Sequence, residues 1–275
     1  MTGYRETLES VLELESKGAE VGLVGKSLLG RFIPYVKVGT GKTRLIITAA
    51  IHAREFVTSG VVISQARYAM QEGVNASVYF VPMVNPDGVE IALGRAKPPS
   101  WYLGEPSLWK ANARGVDLNV NFPAKWGSGG SNVFSRSFQS YVGEKPLSEP
   151  ESIALARFTE QILPHSTVSY HSKGRELYFD FYQNEQDLAR DGEIAEKINQ
   201  RLGYKIVTGL DSAGGYKDWC VSRLKIPAFT VEIGDDRLNH PLTSKDVEED
   251  VLRNIDLPQK LTDAIHGRKI YENGA

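Results

Sequence analysis

Cysteine, charge of one sign and long apolar runs are scarce in this sequence of 275 residues. Cys220 is the single cysteine, which excludes an intramolecular disulfide and favours a reducing compartment. The opening stretch, MTGYRETLESVLELESKG, contains neither a signal-peptide core nor a membrane-spanning run. We therefore expect a cytoplasmic protein that does not enter a membrane.

The net charge is also small, at −2, because 32 basic side chains nearly balance 34 acidic ones. This balance gives no electrostatic reason to expect a nucleic acid or an anionic lipid surface as a partner. A phosphate-binding loop is lacking too. The GKS and GKT triplets have Glu20 and Val36 where such a loop requires a glycine, five positions before the GK pair.

Short apolar runs alternate with helical patterns along the whole chain, with no linker, repeat or low-complexity segment. This order predicts a single α/β domain over residues 1–275, with a mixed, mostly parallel central sheet flanked by helices. The predicted strands are AEVGLVG, RFIPYVKVG, RLIITAAI, SVYFVPMV, TVSYHS, ELYFDF and PAFTVEIG. The predicted helices precede residue 18, span about 56–71, start near 148, span about 185–202 and follow 244. Residues 85–148 lack periodicity, which is typical of a binding surface.

Histidine and glutamate follow directly on one of these strands. His52 and Glu55 are three residues apart after RLIITAAI, and His171 lies at the end of TVSYHS. A surface histidine and a glutamate at a helix N-terminus would give the same spacing for the first pair. The second histidine favours a metal site, because two histidines and one carboxylate leave a tetrahedral zinc ion with one open position.

Glu232 ends a third apolar run, PAFTVEIG. A carboxylate in such a run is costly unless it is paired or functional, although a residue at a strand end can also reach solvent. A hydrolytic metal site needs a base that accepts a proton from the attacking water. Three apolar strands that each end in one of these polar residues favour the functional interpretation of Glu232.

Together these stretches resemble the zinc carboxypeptidase family, the funnelin metallopeptidases. The similarity covers most of the chain and is carried, in the family's order, by HAREF, NPDG, GVDLNVNFP, SEPES, SYHS and TVEIG. It implies one Zn²⁺ bound by His52, Glu55 and His171. It also implies Asp117 as the carboxylate that orients His52, and Glu232 as the general base.

The resemblance implies metal-assisted amide hydrolysis, in which zinc polarises the scissile carbonyl. Glu232 would accept a proton from the water and pass it to the leaving amine. The family has an arginine seven residues before the aspartate of the GVD motif, and Lys110 stands there in this chain. Lys110 is therefore the residue expected to stabilise the oxyanion, with the nearby Arg114 as the alternative. Arg54 matches a family arginine that contacts substrate.

The chain departs from digestive members of the family at the pair Asn119-Val120. Those members have Asn-Arg, and the arginine binds the terminal carboxylate of the substrate. Valine cannot do so, although Asn119 remains a substrate-binding candidate. Lys217 occupies the position that lines the base of the pocket for the leaving residue, where a cation suits a side-chain carboxylate; a solvated surface lysine is the alternative. Leu210 replaces the family's mobile tyrosine, and Tyr216 is the candidate substitute.

These departures make the chain most similar to bacterial γ-D-glutamyl-meso-diaminopimelate peptidases and murein peptide amidases. The resemblance therefore implies hydrolysis of cell-wall muropeptides between γ-D-glutamate and meso-diaminopimelate, with a small peptide as substrate. Two alternatives remain open at this point. One is a carboxypeptidase that releases acidic C-terminal residues, and the other is a non-catalytic, zinc-dependent binder of wall peptides.

Overall fold

The computed structural model describes residues 3–209 and 211–267, so that Leu210 lies outside the described residues. Within them, eight strands form one sheet in the order β1-β2-β4-β3-β5-β8-β6-β7. The strands are β1 (Glu20–Lys26), β2 (Phe32–Val38), β3 (Thr43–Thr48), β4 (Ala76–Val81), β5 (Ser166–Ser172), β6 (Glu176–Tyr178), β7 (Lys205–Val207) and β8 (Ala228–Ile233). Four of the seven strand pairings are parallel and three are antiparallel, which confirms a mixed, mostly parallel sheet.

Helices cover both faces of the sheet, as the alternating sequence pattern predicts. They are α1 (Tyr4–Ser16), α2 (Thr58–Glu72), α3 (Pro86–Ala92), α4 (Pro150–Ile162), α5 (Glu185–Leu202), α6 (Tyr216–Trp219), α7 (Glu248–Asn254) and α8 (Leu257–His266). Successive residues of β3 point to opposite faces: Ile47 packs with the cluster under α1, α2, α5 and α8, whereas Ile46 packs with the cluster under α4 and α6. None of the described helices is long and apolar enough to cross a membrane.

Capping residues explain where several helices begin and end. The Asn184 side chain accepts a hydrogen bond from the Asp187 N–H at 2.8 Å, and α5 ends just before Gly203, whose φ of 65° suits glycine. At α3, the Asn85 side chain accepts from the Gly88 N–H at 3.0 Å, and Pro86 is the first helical residue. The NPDG motif therefore starts a short helix.

Other differences from the predictions have local causes. We predicted that the strand RLIITAAI continues to Ile51, but β3 ends at Thr48, because Ala50 adopts a φ of 49° and its N–H bonds to the Thr58 hydroxyl. Strand β7 was not predicted, since its three residues show no clear periodicity. The expected final helix is two helices, α7 and α8, with Pro258 near the start of the second.

Candidate metal centre and active-site cavity

The predicted metal ligands meet at one edge of the sheet. Strands β3, β5 and β8 are adjacent and parallel, so their carboxyl ends open on the same side. His52 comes after β3 and precedes a 3₁₀ turn, Ala53–Glu55, which carries Glu55 at its end. His171 lies in β5, where the regular alternation of the strand directs its side chain toward the other two.

Short distances connect these three side chains, all of which are buried. His52 Nδ1 lies 3.0 Å from Glu55 Oε1 and 3.0 Å from His171 Nδ1. His171 Nδ1 lies 3.2 Å from Glu55 Oε2, which also accepts a hydrogen bond from the Ser172 N–H at 3.2 Å. The possible ligand atoms all lie within 4.8 Å of one another, which is close enough to bind one ion.

The donor chemistry of this group fits zinc. Two imidazole nitrogens and one carboxylate are the ligand set of several catalytic zinc sites, which keep a fourth position open. The Nδ1 atoms of His52 and His171 face each other and the Glu55 carboxylate. One proton shared between the two nitrogens would leave some of these lone pairs unpaired, whereas a cation bound among the three side chains would pair with all of them. We refer to His52, Glu55 and His171 as the metal group.

Asp117 is placed to hold the His52 ring. Its Oδ1 lies 3.2 Å from His52 Nε2, and its oxygens accept hydrogen bonds from the Asn119 N–H at 3.1 Å and the Ser140 N–H at 3.0 Å. Burial would raise the pKa of Asp117, but the charges of His52 and Lys110 hold it below its usual range. An ionised carboxylate here fixes the ring with Nδ1 turned toward the metal group.

Glu232 lies next to the metal group on β8, where it stands directly opposite His171 in the strand register. Its Oε2 is buried and has no hydrogen-bond partner among the residues that the structure describes. Burial, and then the charge of Glu55, raises the pKa of Glu232 well above its usual value. A carboxylate with a raised pKa and a free oxygen is suited to accept a proton from water.

A cavity of about 520 Å³ opens beside the metal group. The predicted residues that line it are His52, Lys110, Asp117, Asn119, His171, Lys217 and Glu232. Connections between strands also contribute Val120 and Asp180 to its lining. We refer to Asn119, Val120, Asp180 and Lys217 as the loop wall.

The three predicted cations near the metal group occupy different places. Lys110 lines the cavity, and its Nζ lies 3.8 Å from Asp117 Oδ2. Arg114 lies outside the cavity lining, where its Nε is 3.7 Å from Glu149 Oε2. Arg54 also lies outside the lining. Its Nη1 is 3.5 Å from the Leu108 carbonyl oxygen, and its buried Nε has no partner within residues 3–209 and 211–267. Of Lys110 and Arg114, only Lys110 therefore stands where an oxyanion could form.

Tyr216 differs from its predicted place in substrate binding. Its side chain is fully buried and packs against Phe122 and Trp219, with its hydroxyl 2.8 Å from the Thr159 hydroxyl. The burial of a large aromatic ring explains this inward orientation. Tyr216 contacts the loop wall through its backbone, since its N–H donates a hydrogen bond to Asn119 Oδ1 at 3.1 Å.

Sequence reasoning missed the residues that follow His171 in the cavity lining. Tyr178 and Asp180 both belong to the run ELYFDF, which was predicted only as a strand, and Tyr182 follows it. In the structure β6 ends at Tyr178, and the chain then passes along the cavity. The signal that could have found this segment is an acidic residue, Asp180, within an otherwise aromatic run.

A mixed sheet flanked by helices, with a buried two-histidine, one-glutamate group and an adjacent carboxylate, is the arrangement expected of a zinc-dependent hydrolase. The sequence profile of the zinc carboxypeptidase family matches residues 4–254. The chain therefore belongs to this family, and it is a metallopeptidase with zinc as the family's metal. The match confirms the family resemblance from which the zinc ligands were inferred.

Individual relatives agree with this assignment. The chain is 30% identical over 249 residues to gamma-D-glutamyl-L-diamino acid endopeptidase 1 of Lysinibacillus sphaericus, covering 81% of this chain and 62% of that protein. It is 29% identical over 238 residues to murein peptide amidase A of Escherichia coli K12, covering 83% and 84%. Bovine thrombin-activatable fibrinolysis inhibitor has the same fold, with a TM-score of 0.78 and 20% identity over 97% of this chain and 98% of that one.

Proposed function

We propose that this protein hydrolyses the amide bond between γ-D-glutamate and meso-diaminopimelate in muropeptides. The proposal depends on one observation. Among the described residues, the cavity lining contains no arginine, and Val120 lies beside Asn119, where a terminal-carboxylate clamp would be required. A peptidase without that clamp must bind its substrate through other groups. Two relatives, a γ-D-glutamyl-L-diamino acid endopeptidase and a murein peptide amidase, support this substrate class.

The side chains around the cavity divide the chemistry among them. Zinc held by His52, Glu55 and His171 would supply the positive charge that polarises the scissile carbonyl. Glu232 accepts a proton as the water oxygen bonds to the carbonyl carbon, and it returns a proton to the nitrogen as the C–N bond breaks. Lys110 contributes a positive charge near the developing oxyanion but lacks the two-pronged geometry of arginine.

The leaving residue would be recognised through its side chain. Lys217 Nζ lies 2.6 Å from the Asp180 carbonyl oxygen and 2.8 Å from Asp218 Oδ1, so its ammonium is held in a fixed position. An ammonium has three N–H donors, and these contacts leave one for a carboxylate in the cavity.

A reaction in the cytoplasm is also part of the proposal. The single cysteine, Cys220, is buried and forms no disulfide, which favours a reducing compartment.

Mass spectrometry of two digests tests the proposal. One substrate is the tripeptide L-Ala-γ-D-Glu-meso-diaminopimelate, and the other is an ordinary peptide that ends in glutamate. We expect L-Ala-D-Glu from the first alone, and no product after a chelator removes the metal. Release of glutamate from the second at a similar rate would instead support the acidic carboxypeptidase, which Lys217 also favours. Binding of the tripeptide with no product would support the non-catalytic binder.

A further inference from the structure

The loop wall carries opposite charges side by side. The Lys217 ammonium donates a hydrogen bond to the backbone carbonyl of Asp180 at 2.6 Å. A lysine and an aspartate are therefore direct neighbours in this wall. Both residues line the cavity. The Lys217 ammonium also lies 5.6 Å from the centre of the Phe181 ring, which limits its freedom further.

The charges in this part of the cavity do not cancel. Lys217 forms an ion pair with Asp218, whose other oxygen accepts a hydrogen bond from the Gly215 N–H at 3.0 Å. Asp180 Oδ2 accepts a hydrogen bond from the Gly209 N–H at 2.8 Å. Within the described ranges, no lysine, arginine or histidine forms an ion pair with Asp180. One negative charge therefore remains unbalanced beside the lysine.

We infer that Asp180 is a specificity-determining residue that binds an ammonium group on the side chain of the leaving residue, while Lys217 binds the neighbouring carboxylate. This inference rests on the proposed function and deepens it. The distal end of meso-diaminopimelate carries an ammonium and a carboxylate on one carbon, and only a wall with both charges can pair with each of them. Glutamate offers the carboxylate alone, and lysine offers the ammonium alone.

Asp180 could instead have only a structural role, as the acceptor of a hydrogen bond from the neighbouring loop. Its contact with the Gly209 N–H holds the neighbouring loop, but that contact occupies only one carboxylate oxygen. Asparagine keeps an oxygen for this bond and removes the charge. Asp180→Asn therefore separates the two roles, since it preserves the loop contact and removes the partner of an ammonium.

The test compares kcat/KM for three tripeptides, L-Ala-γ-D-Glu-X, with the zinc-loaded protein. X is meso-diaminopimelate, 2-aminopimelate (which lacks the distal amine) or lysine (which lacks the distal carboxylate). We expect the parent protein to prefer diaminopimelate to aminopimelate by about 10- to 100-fold, the range of a hydrogen bond to a charged group. Asp180→Asn should bring this ratio close to one. Lys217→Met should reduce the preference for diaminopimelate over lysine.

Asp263→Asn is the matched control, because Asp263 is exposed on α8 and its carboxylate bonds only to Gln259 among the described residues. It should keep the parent ratio, and zinc content and the unfolding midpoint verify that every variant is folded. Equal rates on diaminopimelate and aminopimelate in the parent protein, or an unchanged ratio in Asp180→Asn, would overturn the role of Asp180 and leave the proposed function standing. Failure of the parent to cleave any of the three tripeptides would overturn both.

Discussion

The metal group and the loop wall lie on the same cavity but are built in different ways. His171 lies in β5 and His52 follows the adjacent parallel strand β3, so the order of the strands brings the two side chains together. Asn119, Asp180 and Lys217 come from connections between strands, and they are held by backbone contacts such as the Tyr216 N–H on Asn119. The edge of the sheet thus presents the group expected to bind the family's metal, while we expect the connections to distinguish one substrate from another.

The largest loss of activity should come from removing Glu232, the expected general base beside the metal group. We expect Glu232→Gln to lower kcat by about 10²- to 10⁴-fold, because the amide cannot accept a proton from water. One zinc ion per chain should remain bound, since the three ligands are unchanged. Glu160→Gln is the matched control, as Glu160 is exposed on α4 and lies outside the cavity lining. A Glu232→Gln variant as active as the parent would refute this role.

A second effect concerns a buried carboxylate in the first turn of α4 and appears in stability. Glu151 is fully buried, and burial raises the pKa of its carboxyl group to about 7. The folded protein then binds this proton more tightly than the unfolded chain does. The stabilising contribution is therefore complete below about pH 4.5 and is lost as the pH rises to about 7.

The corresponding change in the free energy of unfolding is roughly 3 kcal/mol, at about 1.4 kcal/mol per pH unit. Urea denaturation at several pH values measures it. In Glu151→Gln the slope between pH 4.5 and 7 should be flatter than in the parent. Identical slopes in the two proteins would show that Glu151 does not titrate in this range.

Loss of the support behind the metal group should have a smaller effect than loss of the base. Asp117→Asn removes the charge that faces His52 Nε2 at 3.2 Å. We expect zinc affinity or activity to fall by about 10- to 100-fold, as for other residues that orient metal-binding histidines. Competition with a chelator measures the affinity, with Asp263→Asn as the control. An unchanged dissociation constant would mean that Asp117 does not orient the ring.

The smallest effect is expected at Tyr216, which the sequence offered as a substrate-binding candidate and which the structure places in the core. Tyr216→Phe removes the hydroxyl that bonds to Thr159 at 2.8 Å. It should lower the free energy of unfolding by about 1 kcal/mol and leave kcat/KM unchanged. Tyr68→Phe, on the partly exposed face of α2, should change neither quantity. A large loss of activity in Tyr216→Phe would instead support a role for Tyr216 in substrate binding.

The difference between the two regions also explains what could be predicted. Apolar runs that stop at His52, His171 and Glu232 are visible in the sequence, and adjacent parallel strands bring such ends together. No comparable rule covers the connections. The run ELYFDF does not show that the strand ends at Tyr178, nor that Asp180 then lines the cavity. The inward orientation of Tyr216 depends on distant partners, Phe122 and Thr159, that the local sequence does not reveal.

Anomalous diffraction at the zinc absorption edge, on crystals of the zinc-loaded protein, tests the metal group most directly. We expect a single zinc peak about 2.0–2.2 Å from the Nδ1 atoms of His52 and His171 and from a carboxylate oxygen of Glu55. Glu232 should lie beyond bonding distance, with room for a water molecule between it and the ion. A peak elsewhere, or an imidazole rotated away from it, would contradict both the ligand set and the hydrolytic role that depends on it.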